Sequence, residues 1–244
     1  MNLNIYDIYR YEYNFIDDIQ FIETLLRGEE VLEVGCGDGR VLDYLDKKKK
    51  YSLFGFDIDK KVVEIAKERF NGVNINLTVD NAVTFNHERL YKNILFLFNG
   101  LMLLPSKEHQ ISFLQNAYNN LENSGSLIFY ISNPDVNRMS ERFPYYKYQK
   151  TLNIDNILVD KFEFNKYDLD NQLIHRAFNY DYVDKKNDLK RVMSRFVVRY
   201  FYKSELEQIL INIGFSNLEF FGDFDGSDWS PESPSIIVKA IKYV

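Results

Sequence analysis

At 244 residues, 45% of them hydrophobic and 27% charged, with 18 Tyr and 20 Phe, the sequence can bury a sizeable core and is not that of a disordered chain. The formal net charge of −6 argues against a broad phosphate-binding face and so against nucleic acid as a substrate, and Cys36, the sole cysteine, excludes an internal disulfide or a thiolate metal cluster. No apolar run reaches the roughly 18 residues of a membrane span, and residues 1–10 are too polar for a signal peptide, so a cytoplasmic location is expected.

The chain opens on Tyr6-Asp7-Ile8-Tyr9-Arg10-Tyr11-Glu12-Tyr13, dense in tyrosine and read either as surface packing or as rings closing over a ligand. Phe15, Ile16, Ile19, Ile22, Leu25 and Leu26 then recur three or four apart, which predicts an amphipathic helix within 11–27 ending near Gly28. Val31-Leu32-Glu33-Val34 is a buried-type strand that runs into Gly35, Gly37 and Gly39, and helical spacing resumes over 40–46. A strand, a glycine turn and a helix make a nucleotide-binding corner, because glycine lets a ligand reach the backbone amides at the helix start. Cys36 is read as a small side chain on that tight turn, and the carboxylate of Glu33 needs a partner or a ligand at the strand's end.

Strands are predicted at 51–56, 74–79, 93–98 and 126–132, alternating with helices at 60–70, stopped by Asn71-Gly72, and at 107–121, started at Pro105-Ser106. The alternation implies a parallel sheet with right-handed crossovers. Residues 133–150 show no period and read as a loop, with an aromatic pocket suggested at 143–148. Long β-type runs follow at 156–165, 172–183 and 190–202, then a helix at 203–213 and two last strands at 216–221 and 235–242. The Lys47–Lys50 run is read as a solvated helix end.

A dinucleotide fingerprint wants G-x-G-x-x-G, and the alternate spacing of Gly35, Gly37 and Gly39, followed by Arg40, is wrong for it. Asp57 ends the second strand and Asp80 the third, where carboxylates can meet a ribose and a base.

These residues resemble the class I S-adenosylmethionine-dependent methyltransferases. Glu33-Val34-Gly35-Cys36-Gly37-Asp38-Gly39, Gly55-Phe56-Asp57-Ile58-Asp59 and Val79-Asp80-Asn81-Ala82 look like that family's first three motifs. His109 to Leu114, Leu121 and Ser124-Gly125-Ser126-Leu127 look like the later ones. The tail, through Ala177–Tyr182, Arg199-Tyr200-Phe201-Tyr202 and Gly222-Asp223-Phe224-Asp225-Gly226, is similar to a small-molecule subgroup whose lid sheet covers the acceptor.

The resemblance implies an α/β fold: a doubly wound, seven-stranded, mostly parallel, Rossmann-like sheet with an appended antiparallel lid. Residues 1–150 and 203–244 would form the cofactor-binding core and 151–202 the substrate-covering insertion. It implies S-adenosylmethionine as cofactor and S-adenosylhomocysteine as product, with Glu33, Gly35, Cys36 and Gly37 at the methionine end and Asp57 on the ribose. Ile58 would lie against the adenine, Asp80 and Asn81 at its edge with Ala82 leaving room, and Phe98 and Asn99 beneath the cofactor. Asn99 either bonds the cofactor's amino group or caps its own turn.

Nucleic-acid amino methyltransferases carry Asn or Asp-Pro-Pro-aromatic after strand four. Here that place reads Asn99-Gly100-Leu101-Met102, so a small-molecule acceptor methylated on nitrogen or oxygen is expected. Of the histidines, His87 is read as surface, His109 as a helix-start residue and His175, on a lid strand, as the one to meet substrate; Tyr13 is the aromatic candidate. No metal is expected, and the exposed lid edges leave monomer and homodimer both open. The competing readings are a non-catalytic S-adenosylmethionine-binding module and an NAD-binding oxidoreductase.

Overall fold

In a computed structural model, which describes residues 3–70, 73, 75–104, 106–135, 139 and 145–243, the chain opens with α1 (Ile5–Glu12), α2 (Asp17–Leu25), β1 (Glu30–Val34), α3 (Arg40–Asp46) and β2 (Ser52–Asp57). It continues with α4 (Lys60–Arg69), β3 (Asn76–Val79), β4 (Tyr91–Phe96), α5 (Gly100–Leu103), α6 (Lys107–Asn120) and β5 (Leu121–Ser132). Then come β6 (Tyr145–Ile154), β7 (Ile157–Asp168), β8 (Leu173–Val183), β9 (Leu189–Arg199), α7 (Lys203–Ile213), β10 (Phe215–Phe221) and β11 (Ser235–Lys242). Two units result: Asp17–Pro134 with Phe201–Val244, and Met1–Ile16 with Asp135–Tyr200. The expected partition put residues 1–150 with the core; the contacts group α1 and β6 with the other antiparallel strands.

In the larger unit the described strands form a seven-stranded sheet in the order β10-β11-β5-β4-β1-β2-β3. Pairings among β1, β2, β3, β4 and β5 are parallel, whereas β11 lies antiparallel to both β5 and β10. Val31, Leu32, Ile94, Leu95, Ile128 and Phe129 are all buried. Apolar side chains on both faces of a strand are what a parallel sheet covered by helices on both sides requires. On one face Ile19, Ile22, Val41, Leu42, Val63 and Ala66 pack against Leu53, Leu77 and Leu95. The basic run ends α3 as expected, with Lys48 and Lys50 reaching Glu23 at 3.2 and 3.3 Å.

From β1 the chain steps outward to β2 and β3, then returns to place β4 on the other side of β1. This reversal is the topological switch point, and a crevice opens there beyond the carboxyl ends of the strands. The antiparallel insertion of β11 beside β5 departs from the 3-2-1-4-5-6 order of dinucleotide folds.

In the smaller unit β6-β7-β8-β9 form an antiparallel sheet. Three of these strands fall on the expected β-type runs; β6 begins within the residues read as a loop, 133–150, and runs on to Ile154. Its register shifts between Tyr148 and Lys150, so a bulge breaks the alternation that would have betrayed a strand. Phe143 and Pro144 of the expected aromatic pocket lie outside the described residues, as do Asn71, Gly72 and Pro105 of the helix-boundary signals. Tyr146 and Tyr148 are exposed, stacked and edge-on respectively against Phe162.

The helix expected within 11–27 is the shorter α2, and a further helix precedes it. The tyrosine-dense stretch forms α1, started by a capping box in which Asn4 accepts from the N–H groups of Tyr6 and Asp7 while Asp7 accepts from Asn4. Phe15 and Ile16, expected at the start of the apolar face of α2, are exposed in the break before that helix. Ile8 packs with Ile154, Ile157, Val159 and Phe178 on the small sheet. Beside them the buried Glu12 accepts from Lys161 at 2.6 Å and from the Tyr180 hydroxyl at 2.7 Å.

Among the described residues, no helix is long and apolar enough to cross a membrane.

Candidate functional site

The crevice at the switch point is bounded by the turn after β1. Gly35, Gly37 and Gly39 have φ of 65°, 54° and 83°, the left-handed region that side chains resist. The turn is tied down at both ends: the Cys36 N–H donates to the Phe56 carbonyl at 3.0 Å, and the Gly39 N–H to the Cys36 carbonyl at 2.9 Å. A Cβ on Gly37 would meet nothing within 4 Å, so this backbone faces open space where a ligand can lie against it. The Cys36 side chain is buried, and burial, with Glu33 and Asp57 nearby, pushes its thiol well up, so it is an inert packing group.

Asp57, at the end of β2, accepts the Gly37 N–H with one carboxylate oxygen and the Asp59 N–H with the other, both at 3.0 Å. Each oxygen keeps a lone pair for a further donor. Ile58, next along, is 69% exposed and offers an apolar face. At the end of β3, Asp80 accepts the Asn81 N–H at 2.7 Å, and Asn81 in turn accepts from the Val83 N–H at 2.9 Å. Ala82 sits half-buried inside that turn.

Glu33 is 3% exposed, and its Oε2 has no hydrogen-bond partner. Burial raises its carboxyl well above the usual range; Arg40 opposes this, and Asp57, Asp38 and Asp18 add to it. A buried carboxylate oxygen without a donor costs about 1–3 kcal/mol, and a cationic ligand group in the crevice would remove that cost. Arg40 is held by a two-pronged bond to the fully buried Asp18, at 3.2 and 2.6 Å, and its guanidinium stands 4.3 Å from the Phe98 ring centroid. The Tyr130 hydroxyl donates to the same carboxylate at 3.1 Å.

Phe98 and Asn99, after β4, both take positive φ, 56° and 61°. For a side chain as bulky as Phe98 this is strained backbone, held by its surroundings. Asn99 supplies part of that hold, because its Oδ1 accepts from both the N–H and the hydroxyl of Ser132, at 2.5 and 3.0 Å. The carbonyl of Asn99 therefore closes the ends of β4 and β5 together. Phe96 fixes the floor: its ring lies so close to Gly35 and Gly100 that a Cβ would come within 3.2 and 2.3 Å of it.

Glu33, Gly35, Cys36, Gly37, Asp57, Ile58, Asp80, Asn81, Ala82, Phe98 and Asn99 thus all lie in the larger unit, on the strand ends and turns around the switch point. Tyr13 and His175 belong to the smaller unit. Tyr13 is half-buried, edge-on to Tyr9, and burial with Glu12 and Tyr9 pushes its phenol up, so it stays protonated at neutral pH. His175 is exposed on β8, opposite Lys166 and Val197. His109 is exposed in the first turn of α6, its N–H donating to the Ser106 hydroxyl at 3.3 Å.

His87 corrects the sequence reading. It is half-buried, and its ring bridges Asp80 and the Tyr91 hydroxyl. A histidine seven residues past the strand-end acid, in a loop without period, gave no signal of that contact. Asp18 was legible in principle, since it shares a helical face with Ile22 and Leu25 and so had to be buried and paired.

The residues present fit S-adenosylmethionine. Glu33, with its unfilled acceptor, would take the ammonium of the methionine part, the open backbone of Gly37 would lie beside it, Asp57 would accept from the ribose, and Asp80 would accept from the adenine amino group.

Residues 31–125 match the family described as Methyltransferase domain. The curated relatives are ribosomal RNA small subunit methyltransferase A from Mycoplasma mobile, 35% identical over 69 residues, and its namesake from Mesomycoplasma hyopneumoniae, 24% identical over 131 residues. These matches take in 26% and 52% of this chain and only 27% and 48% of the relatives' own lengths. Among solved structures, an S-adenosylmethionine-dependent methyltransferase from Clostridium acetobutylicum superposes with TM-score 0.79 at 15% identity, covering 97% of both chains. CalS10, an amino pentose methyltransferase from Micromonospora echinaspora, superposes with TM-score 0.76 at 13% identity over 99% of this chain and 98% of its own. At such identities the likeness is one of fold. The matched domain and the sheet order agree: residues 31–125 carry a methyltransferase domain, within the Rossmann-like fold that these S-adenosylmethionine-dependent methyltransferases share.

Proposed function

We propose that the chain moves a methyl group from S-adenosylmethionine to a nitrogen or oxygen of a small-molecule acceptor by direct displacement, leaving S-adenosylhomocysteine. When bound, the cofactor supplies an electrophilic methyl and a thioether leaving group. The acceptor's lone pair forms the new carbon–nitrogen or carbon–oxygen bond as the carbon–sulfur bond breaks, with that bond's electrons going to sulfur. The acceptor's proton leaves to water or to a side chain. Fixing the two reactants in line supplies much of the rate.

For this chain, the glycine turn and Asp57 would fix the donor, and Glu33 would hold its ammonium. Tyr13, kept protonated, would act as a hydrogen-bond donor and not as a base. His175 is the candidate for acceptor contact and proton removal, and residues 151–202 are proposed as the substrate-covering insertion.

The observation that carries the small-molecule reading is Asn99. Its carbonyl oxygen is spent on Ser132, and Gly100, Leu101 and Met102 follow it without proline or aromatic, so a flipped base would lack the clamp it needs. The amino pentose acceptor named for the Micromonospora structure fits this reading. The name of the two curated relatives favours a second, methylation of RNA.

The test is S-adenosylhomocysteine formation with panels of amino sugars, amines and alcohols, beside ribosomal RNA and a no-acceptor blank. Turnover with a small molecule and none with RNA is expected. Turnover on RNA alone would overturn the proposal, and cofactor binding without turnover on any panel would leave only a binding module.

A further inference from the structure

We infer that His87 is a positioning residue that sets the selectivity of the cofactor site for a 6-aminopurine, by fixing Asp80 through a relay anchored on Tyr91. The inference rests on the reading that Asp80 meets the adenine edge.

The relay is explicit in the distances. His87 Nε2 lies 3.1 Å from Asp80 Oδ2, and Nδ1 lies 2.8 Å from the Tyr91 hydroxyl. Only one assignment of protons satisfies both contacts for a neutral ring: Nε2 donates to the carboxylate and Nδ1 accepts from the phenol. The ring is also clamped sideways, edge-on to Phe56 and Tyr91 at 5.7 and 5.8 Å and to Phe85 at 5.6 Å. Its backbone N–H donates to Asn120 Oδ1 at 2.8 Å. Tyr91, buried at the start of β4, packs edge-on to Phe54 of β2 at 5.4 Å. The relay therefore runs from the inner sheet outward to a strand-end acid.

Asp80 needs such an anchor. Its backbone is tied to the sheet by one bond, N–H to the Asp57 carbonyl at 3.2 Å, and its side chain is 33% exposed toward solvent. Oδ1 takes the Asn81 N–H and Oδ2 the imidazole, which leaves the carboxylate turned to a single orientation with one lone pair on each oxygen free. A carboxylate so oriented accepts from an amino group and repels a carbonyl at the same place. An unanchored one rotates and loses that discrimination.

The test compares, by calorimetry, S-adenosylhomocysteine with S-inosylhomocysteine, in which a carbonyl replaces the amino group. Wild type should favour the adenosyl ligand by about tenfold or more, the scale of one hydrogen bond at a partly exposed site. His87→Phe should keep the ring packing and lose the preference to within about twofold by weakening the adenosyl ligand alone; His87→Gln, which keeps a donor, should restore most of it. Tyr91→Phe, which leaves the ring contacts in place, should fall between.

Retention of the full preference in His87→Phe would overturn the inference, as would equal weakening of both ligands, the mark of a merely structural role. Asp80→Ala separates the two layers. If it abolishes the preference while His87→Phe does not, the reading of Asp80 stands and the relay fails; if it too keeps the preference, both fall.

Discussion

One carboxylate oxygen of Asp57 accepts the backbone N–H of Gly37 at 3.0 Å, across the turn that joins β1 to α3. The acid assigned to the ribose therefore also holds the glycine backbone on which the methionine part would lie. Asp57→Ala should raise the dissociation constant for S-adenosylhomocysteine by the roughly 1.5–3 kcal/mol of a charge-assisted bond or more. Titration calorimetry checks it; an unchanged constant would remove Asp57 from the site.

The buried Glu33 ties stability to pH. Burial raises its folded carboxyl above the unfolded value, so the folded state holds the proton more tightly and stability falls as pH rises from the ordinary carboxylate range through the raised value. Glu33→Gln should remove that fall. The ligand-free variant should match wild type at acid pH, gain on it at alkaline pH, and bind the cofactor more weakly throughout. Thermal unfolding at pH 5 and pH 8 reads the first effect; parallel pH trends in both proteins would refute it.

Arg40 neutralises a carboxylate that is wholly buried. Arg40→Met leaves Asp18 with the Tyr130 hydroxyl in place of a guanidinium, and should destabilise the larger unit by about 3–5 kcal/mol. Adding Asp18→Asn should recover a large part of that loss, because the stranded charge goes with it. Urea denaturation of the single and double variants is the measurement, and strictly additive losses would argue against the pair.

The smaller unit has its own acid-sensitive contact. Burial would raise the Glu12 carboxyl, but Lys161, Tyr180 and Lys150 outweigh it and hold it low. Its stabilising contribution is thus present above the ordinary carboxylate range and is lost as pH falls through the lowered value. Glu12→Gln should cost about 1–3 kcal/mol at pH 7 and progressively less toward pH 3. Hydrogen exchange at β7 and β8 reports it, and a pH-independent gap would count against an ionised Glu12.

What the sequence by itself determined lies where local chemistry has one solution. Alternate glycines after a buried strand admit only a left-handed turn, Asp57 and Asp80 end strands because apolar runs stop there, and the alternation of strand and helix forces parallel pairing. Four motifs in order were enough to name the methyl donor. Tertiary structure decided what depends on residues far apart in the chain. The bulge in β6 hid a strand from any periodicity, and the helical spacing of Phe15 and Ile16 with Ile19 and Ile22 concealed the later start of α2. Asn99 became a clamp only once Ser132 stood beside it, and His87 came to bridge Asp80 and Tyr91 only when the chain returned through β4. Such contacts have no sequence period, because they are set by which strand ends the topology places together.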